Sequence, residues 1–215
     1  MIVLSTLVRR VSRPYVLLAL FCAVAASVLT GFSVLSVLSW LSLIWVARVL
    51  GQEPRAVPVA PGAVLSPADG RVVKIERARD PYADREALKI SVFMSWFDAH
   101  ANRACVDGVI RQVHYFPGRM FSAELDTASD NNERNALVID SHGQIVTLAQ
   151  VAGLVAHRIL CYVKPGDTVM RGQRFGRIRF GSRVDVYVPT DAIVNVAPGD
   201  KVEATTSILA TLPQA

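Results

Sequence analysis

Between Val16 and Val46 the chain carries no charged residue, and its first 50 residues contain no acid. That excludes an ordinary surface helix, which needs a polar face, so the run VLLALFCAVAASVLTGFSVLSVLSWLSLIWV is expected to sit in a bilayer. Cysteine is scarce as well. Cys22, Cys105 and Cys161 are scattered, odd in number and without metal-ligand spacing, which points away from a disulfide framework and a zinc site and toward a reducing compartment. Nor is there a concentrated positive field. The formal net charge is +5, but Arg9, Arg10, Arg13 and Arg48 account for four of the 23 basic residues, leaving 19 basic against 18 acidic over 51–215. So neutral a remainder argues against a nucleic-acid partner.

The basic residues that are present flank the apolar run. Arg9, Arg10 and Arg13 precede it and Arg48 and Arg55 follow it, so the positive-inside bias keeps both ends on the cytoplasmic side and predicts a hairpin broken at Thr30-Gly31. The run is too long for the apolar core of a cleaved signal peptide. Each half is short for a full span, so a spanning and a re-entrant hairpin both stay open. Residues 1–50 therefore read as a membrane-anchoring unit, 51–62 as a proline- and glycine-bearing linker, and 63–215 as one domain.

Within that domain, short β-branched runs alternate with Gly, Pro, Asn and Asp turns: RVVKI, ALKISVFM, GVIRQVHYF, NALVID, QIVTLAQV, RILCYV, FGRIRF, RVDVYV and AIVNV. The sole helical window is short, from Ser95 to Asn102. The expected class is mostly β within α+β: a compact sandwich or barrel-like domain behind a helical hairpin. Residues 163–169 and 196–202 repeat V-x-PGD-x-V, with Pro-Gly-Asp as the turn. Paired turns of this kind also occur in the small barrels that carry lipoyl or biotinyl groups. Residues 174–195 contain no lysine to carry such a group, so the shape is expected here without the carrier function.

Alternation of Ile178, Phe180, Val184, Val186 and Val188 predicts one extended segment running through Gly181-Ser182. Attack of the Ser182 hydroxyl on the Gly181 carbonyl would replace the peptide bond by an ester. Elimination across the serine Cα and Cβ releases the upstream chain, and hydrolysis of the resulting dehydroalanine leaves a pyruvoyl group. Glycine, lacking Cβ, permits the close approach this needs. A Gly-Ser pair is common in turns, so its surroundings must carry the argument.

Those surroundings, SPADGRVVKI (66–75), ISVFMSWFDAHANRACVDGVI (90–110), NNERNALVID (131–140) and the stretch from Gln150 to Pro189 that contains FGSRVDVY, resemble phosphatidylserine decarboxylases. The likeness is to the short branch of that family found in archaea and many bacteria, and it covers about 50–210 in the same order. It implies self-cleavage between Gly181 and Ser182 into a large chain, 1–181, and a small chain, 182–215, whose Ser182 becomes a covalent pyruvoyl cofactor, with no metal and no pyridoxal phosphate. It implies decarboxylation of phosphatidylserine to phosphatidylethanolamine and carbon dioxide, with the pyruvoyl carbonyl as electron sink. The implied partners are the phospholipid, the membrane and the two chains of one precursor, at the inner membrane with the domain facing the cytoplasm; a homodimer is left open.

The resemblance also brings Asp69 and His100 to the site, a histidine oriented by a carboxylate being the usual base for a serine hydroxyl and His100 the choice for protonating the product. Longer relatives carry two histidines three positions apart, and here the second place is Arg103. Either His100 serves both steps, or Asp69 acts on Ser182 without a histidine between them. Arg103 is a candidate for the lipid phosphate. Asn132 and Glu133, in NNERN, read either as a solvated turn or as a substrate-side loop. Cys105 stands where relatives usually have proline and reads as a buried thiol. Two other functions compete: a serine hydrolase using Ser182, His100 and Asp69, which lacks the G-x-S-x-G elbow, and a non-catalytic membrane adaptor on a lipoyl-like barrel.

Overall fold

A computed structural model describes residues 17–29, 31, 33–50, 56–95, 98, 101–118, 132–153, 158–178 and 182–213. The chain divides into two compact units, Met1–Glu53 and Pro54–Ala215.

The first unit holds helices α1 (17–29) and α2 (Val34–Leu50). Gly31 lies between them at φ +62°, a left-handed conformation open to glycine at little cost. Ser33 starts α2 as a reciprocal cap, its hydroxyl accepting from the Ser36 N–H while the Ser36 hydroxyl accepts from the Ser33 N–H. Trp40 Nε1 donates to Ser27 Oγ at 3.0 Å, tying the two helices into a hairpin. Ser27 and Ser39 return their hydroxyl protons to carbonyls four residues back, so the helix polar groups are used internally. Phe21, Val28, Leu29, Val34, Leu35 and Leu41 are exposed. At about 1.5 Å per residue α2 is roughly 26 Å long, against a hydrocarbon core of about 30 Å. Among the described residues, no helix is long and apolar enough to cross a membrane.

The second unit is built from β1 (Ala63–Leu65), β2 (Gly70–Asp80), β3 (Arg85–Met94), β4 (Ala101–Arg103), β5 (Gly108–Phe116), β6 (Arg134–Ser141) and β7 (Gln144–Ala152). These are followed by β8 (Ile159–Cys161), β9 (Thr168–Val169), β10 (Arg174–Ile178), β11 (Ser182–Val188), β12 (Ile193–Val194), β13 (Lys201–Val202) and β14 (Ile208–Thr211). An eight-stranded sheet runs β13-β2-β3-β11-β7-β6-β5-β9, and two three-stranded sheets run β1-β14-β12 and β4-β10-β8. The second unit is mostly β, as the alternating apolar pattern requires, and the helical hairpin precedes it in the chain. One face of the large sheet packs Ile90, Val92, Leu137, Ile139, Leu148 and Val186 into the core, joined by Phe175 and Leu209.

Two local expectations change. The helical window at Ser95–Asn102 ends in strand, since Ala101 and Asn102 belong to β4 and Asp98 sits in a bend; pairing with β10 outweighs a weak local propensity. The single extended segment through Gly181-Ser182 is divided. β10 pairs with β4 and β8, whereas β11 pairs with β3 and β7, so the chain changes sheets between Ile178 and Ser182.

The repeated PGD turns prove to be part of a larger duplication. Gly166 and Gly199 take φ of +91° and +98°, the type II position for glycine after proline. In both turns the aspartate carboxylate accepts from the N–H before the proline, at 2.9 Å for Asp167 and 2.8 Å for Asp200. Each turn is then clamped to a sheet strand, Gly166 N–H to Ile110 O and Gly199 N–H to Val72 O. The clamped strands match as well. β2 opens with Asp69-Gly70 and bulges between Val72 and Lys74; β5 opens after Asp107 with Gly108 and bulges between Ile110 and Gln112. Asp69 Oδ1 accepts from Ala204 N–H and Asp107 Oδ1 from Arg171 N–H, both at 2.8 Å. The sheet is therefore two four-stranded halves related by a local two-fold between β11 and β7. Carried strand by strand through the registers, that relation takes Met94 to Ser141 and Ser182 to Gln144.

Candidate active site

Of the residues singled out from sequence, Asp69, Ser182, Asn132 and Glu133 lie along one end of the large sheet. Ser182, first residue of β11, pairs with Met94 on one side and Ala152 on the other. Beyond Met94 lies Asp69-Gly70: a Cβ at Gly70 would stand 2.0 Å from Phe93 O, so only glycine lets this turn approach β3. Beyond Ala152 lies the start of β6, where Ala152 N–H donates to Glu133 O and Asn132 Nδ2 donates to Ala152 O at 2.7 Å. Two interstrand steps, about 10 Å, separate the Asp69-Gly70 backbone from Ser182.

Asp69 is half-buried, with Oδ1 engaged by Ala204. Its loop is tied to β4, because the Arg103 N–H donates to Pro67 O at 2.8 Å. β4 begins at Ala101, the residue after His100 in sequence, so the strand that follows His100 is the one tied to the Asp69 loop. His100 and Gly181 themselves lie outside the described residues. Arg103 donates from Nη1 to Gly172 O at 2.8 Å.

From Asn132 to Asn135 the NNERN motif is not a solvated turn. Asn132 and Asn135 are buried, and Glu133 Oε1 accepts from Ile159 N–H and from the Tyr115 hydroxyl, holding β8 to β6. The FGSRVDVY motif acquires a physical reading too. Arg183 and Asp185 are both buried on the face of β11 away from the core and form an ion pair at 2.9 Å, while Val184 and Val186 between and beyond them fill the core. Lys89 on β3 approaches the same carboxylate at 3.7 Å. Paired charges anchor the strand from behind at the residue next to Ser182.

One feature was not legible from sequence. On the core face beside Val184, Gln150 Nε2 donates to Asn102 Oδ1 at 2.7 Å, and Gln150 Oε1 accepts from Asn135 Nδ2 at 3.0 Å. All three amides are buried. Asn102 Nδ2 points on to Met94 Sδ, 3.6 Å away. This chain of amides links β6, β7 and β4, the strand after His100, and its middle member is two residues from the pairing partner of Ser182. The one signal in the sequence was a glutamine inside the apolar run QIVTLAQV.

The opposite end of the sheet supplies an internal control. There a cavity of about 350 Å³ is lined by Asp107, Ser141, Gln144 and Arg171 among others. Asp107 occupies the counterpart of Asp69, but Gln144 replaces Ser182, and Arg171 engages the Asp107 carboxylate at 2.7 Å. The acid belongs to the duplicated scaffold; the serine is peculiar to one end. Among the described residues no cluster of three or more His, Cys, Asp or Glu side chains is arranged to hold a metal ion.

Cys105 is fully buried, and that burial pushes its thiol up to about 12. A thiolate is the reactive form, so at pH 8 Cys105 should be alkylated in urea but not in the native protein. Native alkylation of Cys105 as fast as in urea would contradict this placement.

The model of the phosphatidylserine decarboxylase family matches residues 43–210. A phosphatidylserine decarboxylase proenzyme of Cupriavidus taiwanensis is 58% identical over 175 residues, covering 80% of this chain and 81% of the relative. One of Burkholderia mallei is 51% identical over 209 residues, covering 97% of this chain and 96% of that one. Matched by that family model over most of its length and by these relatives at 51–58% identity, the chain belongs to the phosphatidylserine decarboxylase family.

Proposed function

We propose that this protein is a proenzyme that cuts itself between Gly181 and Ser182 and then converts phosphatidylserine to phosphatidylethanolamine and carbon dioxide. The observation that carries the reading is the change of sheet immediately before Ser182. β11 keeps both neighbours from Ser182 onward, and the chain upstream already belongs to another sheet, so a cut at 181/182 severs no ladder of the described strands. A group formed at residue 182 would begin the central strand, set between the backbones of Met94 and Ala152, the latter held by the buried Asn132 amide, which suits a small carbonyl-bearing group that must be held still.

In the cleavage step, Ser182 Oγ loses its proton and bonds to the Gly181 carbonyl carbon, and the peptide nitrogen leaves that carbon, giving an ester. Loss of the Ser182 Cα proton expels the Gly181 carboxylate; water then replaces the nitrogen at Cα and ammonia departs. The base is best supplied by His100 oriented by Asp69. The roughly 10 Å between the Asp69 backbone and Ser182 is more than a carboxylate spans alone, and the strand that follows His100 is tied to the Asp69 loop. The pyruvoyl carbonyl supplies the electron sink for loss of the substrate carboxylate. His100 then delivers a proton to the substrate Cα. The exposed apolar helices 17–29 and Val34–Leu50 would hold the enzyme in the cytoplasmic leaflet of the inner membrane, where its substrate is concentrated.

Purified full-length protein given phosphatidylserine in detergent micelles should release carbon dioxide and phosphatidylethanolamine; neither product appears if the chain is an adaptor. The duplication separates the roles of the acids. Asn keeps the acceptor that Ala204 or Arg171 uses, so Asp69→Asn and Asp107→Asn should both fold. Only Asp69→Asn should slow cleavage, by about 100-fold or more, the usual size of a lost acid-base contribution. Equal cleavage rates in the two variants would reduce Asp69 to a scaffold residue.

A further inference from the structure

We propose that Arg103, Arg174 and Arg177 form a phosphodiester-binding face that holds the headgroup phosphate of the lipid substrate. The inference rests on the decarboxylase reading and extends it to residues outside the cleavage machinery. Arg174 pairs directly with Arg103 across the β10-β4 ladder, which puts both on one face of the small sheet. In a regular strand Arg177, three residues on, would face the other way. The bulge between Arg174 and Gly176 shifts the register so that Arg177 pairs with Ala101, which has the same parity as Arg103. Three guanidinium groups are thereby collected on the face opposite Asn102 and the core.

Setting Arg174 against two further guanidinium groups on a half-buried surface is unfavourable unless an anion reaches it. Arg171, Arg183 and Arg85 each face a carboxylate. Arg174 instead lies over the Tyr162 ring at 5.4 Å and faces the other two arginines. Its guanidinium is lowered to about 10, by burial first and then by the charges of Arg177 and Arg103, and among the described residues no carboxylate acts on it. It stays charged at neutral pH. The face adjoins both halves of the site: Ala101 follows His100, and β10 ends at Ile178, shortly before Ser182. Guanidinium forks match pairs of phosphate oxygens, and a dianion is not required.

The test uses full-length protein in zwitterionic detergent micelles, with Arg103→Gln, Arg174→Gln and Arg177→Gln, the last two also as Lys, and exposed Arg111→Gln as control. Self-cleavage, seen as two fragments after denaturation, reports folding of each variant. The expected result is a KM for phosphatidylserine raised about tenfold or more by each Gln change, as for one lost charge-assisted hydrogen bond, with a smaller fall in kcat and partial recovery in the Lys variants. Arg111→Gln should leave KM unmoved. Calorimetry with glycerophosphoethanolamine, which has the diester but no acyl chains, should show the same loss of affinity without any turnover. A wild type that binds this probe through the three arginines yet decarboxylates nothing would sink the enzymatic reading and leave the anion site standing. An active wild type whose KM and probe affinity are unmoved by all three Gln changes overturns the site. So does a KM effect seen only when other anionic lipids are added, with probe binding unchanged, because the arginines then serve the membrane surface.

Discussion

Replacing Ser182 with alanine should leave one intact chain of 215 residues with no decarboxylase activity, whereas the wild type should yield fragments 1–181 and 182–215. Alanine has no oxygen to attack the Gly181 carbonyl and no leaving group at Cβ, so both the cut and the carbonyl group are lost together. The change is small in volume and should not disturb β11, whose central residues are fixed by Val184 and Val186 in the core and by the Arg183–Asp185 pair behind. Cleavage should not separate the chains. The small chain contributes β11 between β3 and β7, β13 beside β2, and β14 beside β1, so both chains should migrate as one species in native conditions and as two after denaturation. Intact-mass measurement and attempted amino-terminal sequencing of the small chain check the claim, since a pyruvoyl group leaves no amino terminus to degrade. A wild-type protein that stays whole and behaves as Ser182→Ala does would remove the central proposal, and one that stays whole while hydrolysing esters would favour the serine-hydrolase alternative.

Much of the architecture could be read in advance because it depends on short-range pattern. RVVKI, NALVID and RVDVYV alternate or cluster β-branched residues at strand period and became β2, β6 and β11. The PGD turns were visible because proline and glycine impose their dihedrals locally. Strands of two to four residues such as β4, β9 and β13 carry no periodic signal; they exist because a neighbouring strand supplies a ladder. The deeper symmetry was hidden for another reason. Asp69-Gly70 and Asp107-Gly108 share only two letters, and their equivalence lies in hydrogen bonds to residues far along the chain, Ala204 and Arg171. At the site, Asp69, Ser182 and Asn132 could be singled out as letters in a motif. The arginine face could not, because Arg174 and Arg177 share a side only through a bulge. Nor could Gln150, whose importance depends on two amides brought to it by other strands.

Gln150→Leu should be the most damaging change of similar volume away from the reacting atoms. The leucine would fit the core by shape, but Asn102 Oδ1 would lose its donor and Asn135 Nδ2 its acceptor, in a place where neither is exposed to water. Each buried polar atom left alone costs about 1–3 kcal/mol, so the pair should cost roughly 2–6 kcal/mol. That is a large part of the 5–15 kcal/mol available to a typical domain. The loss should also slow cleavage in the protein that still folds, since Gln150 is two residues from Ala152, the partner of Ser182, and Asn102 is two residues from His100. Gln150→Glu distinguishes hydrogen bonding from shape. A carboxylate buried there would have its folded-state pKa raised above the unfolded value by loss of water, so this variant should be least stable near neutrality. It should recover as pH falls and the protonated acid again presents one donor and one acceptor. Urea unfolding of the Ser182→Ala proenzyme background at several pH values, which keeps self-cleavage from confusing the equilibrium, measures both effects. A Gln150→Leu penalty below about 1 kcal/mol, the range of an ordinary surface substitution, would mean that the amide chain relaxes to other partners and does not fix the strand that carries Ser182.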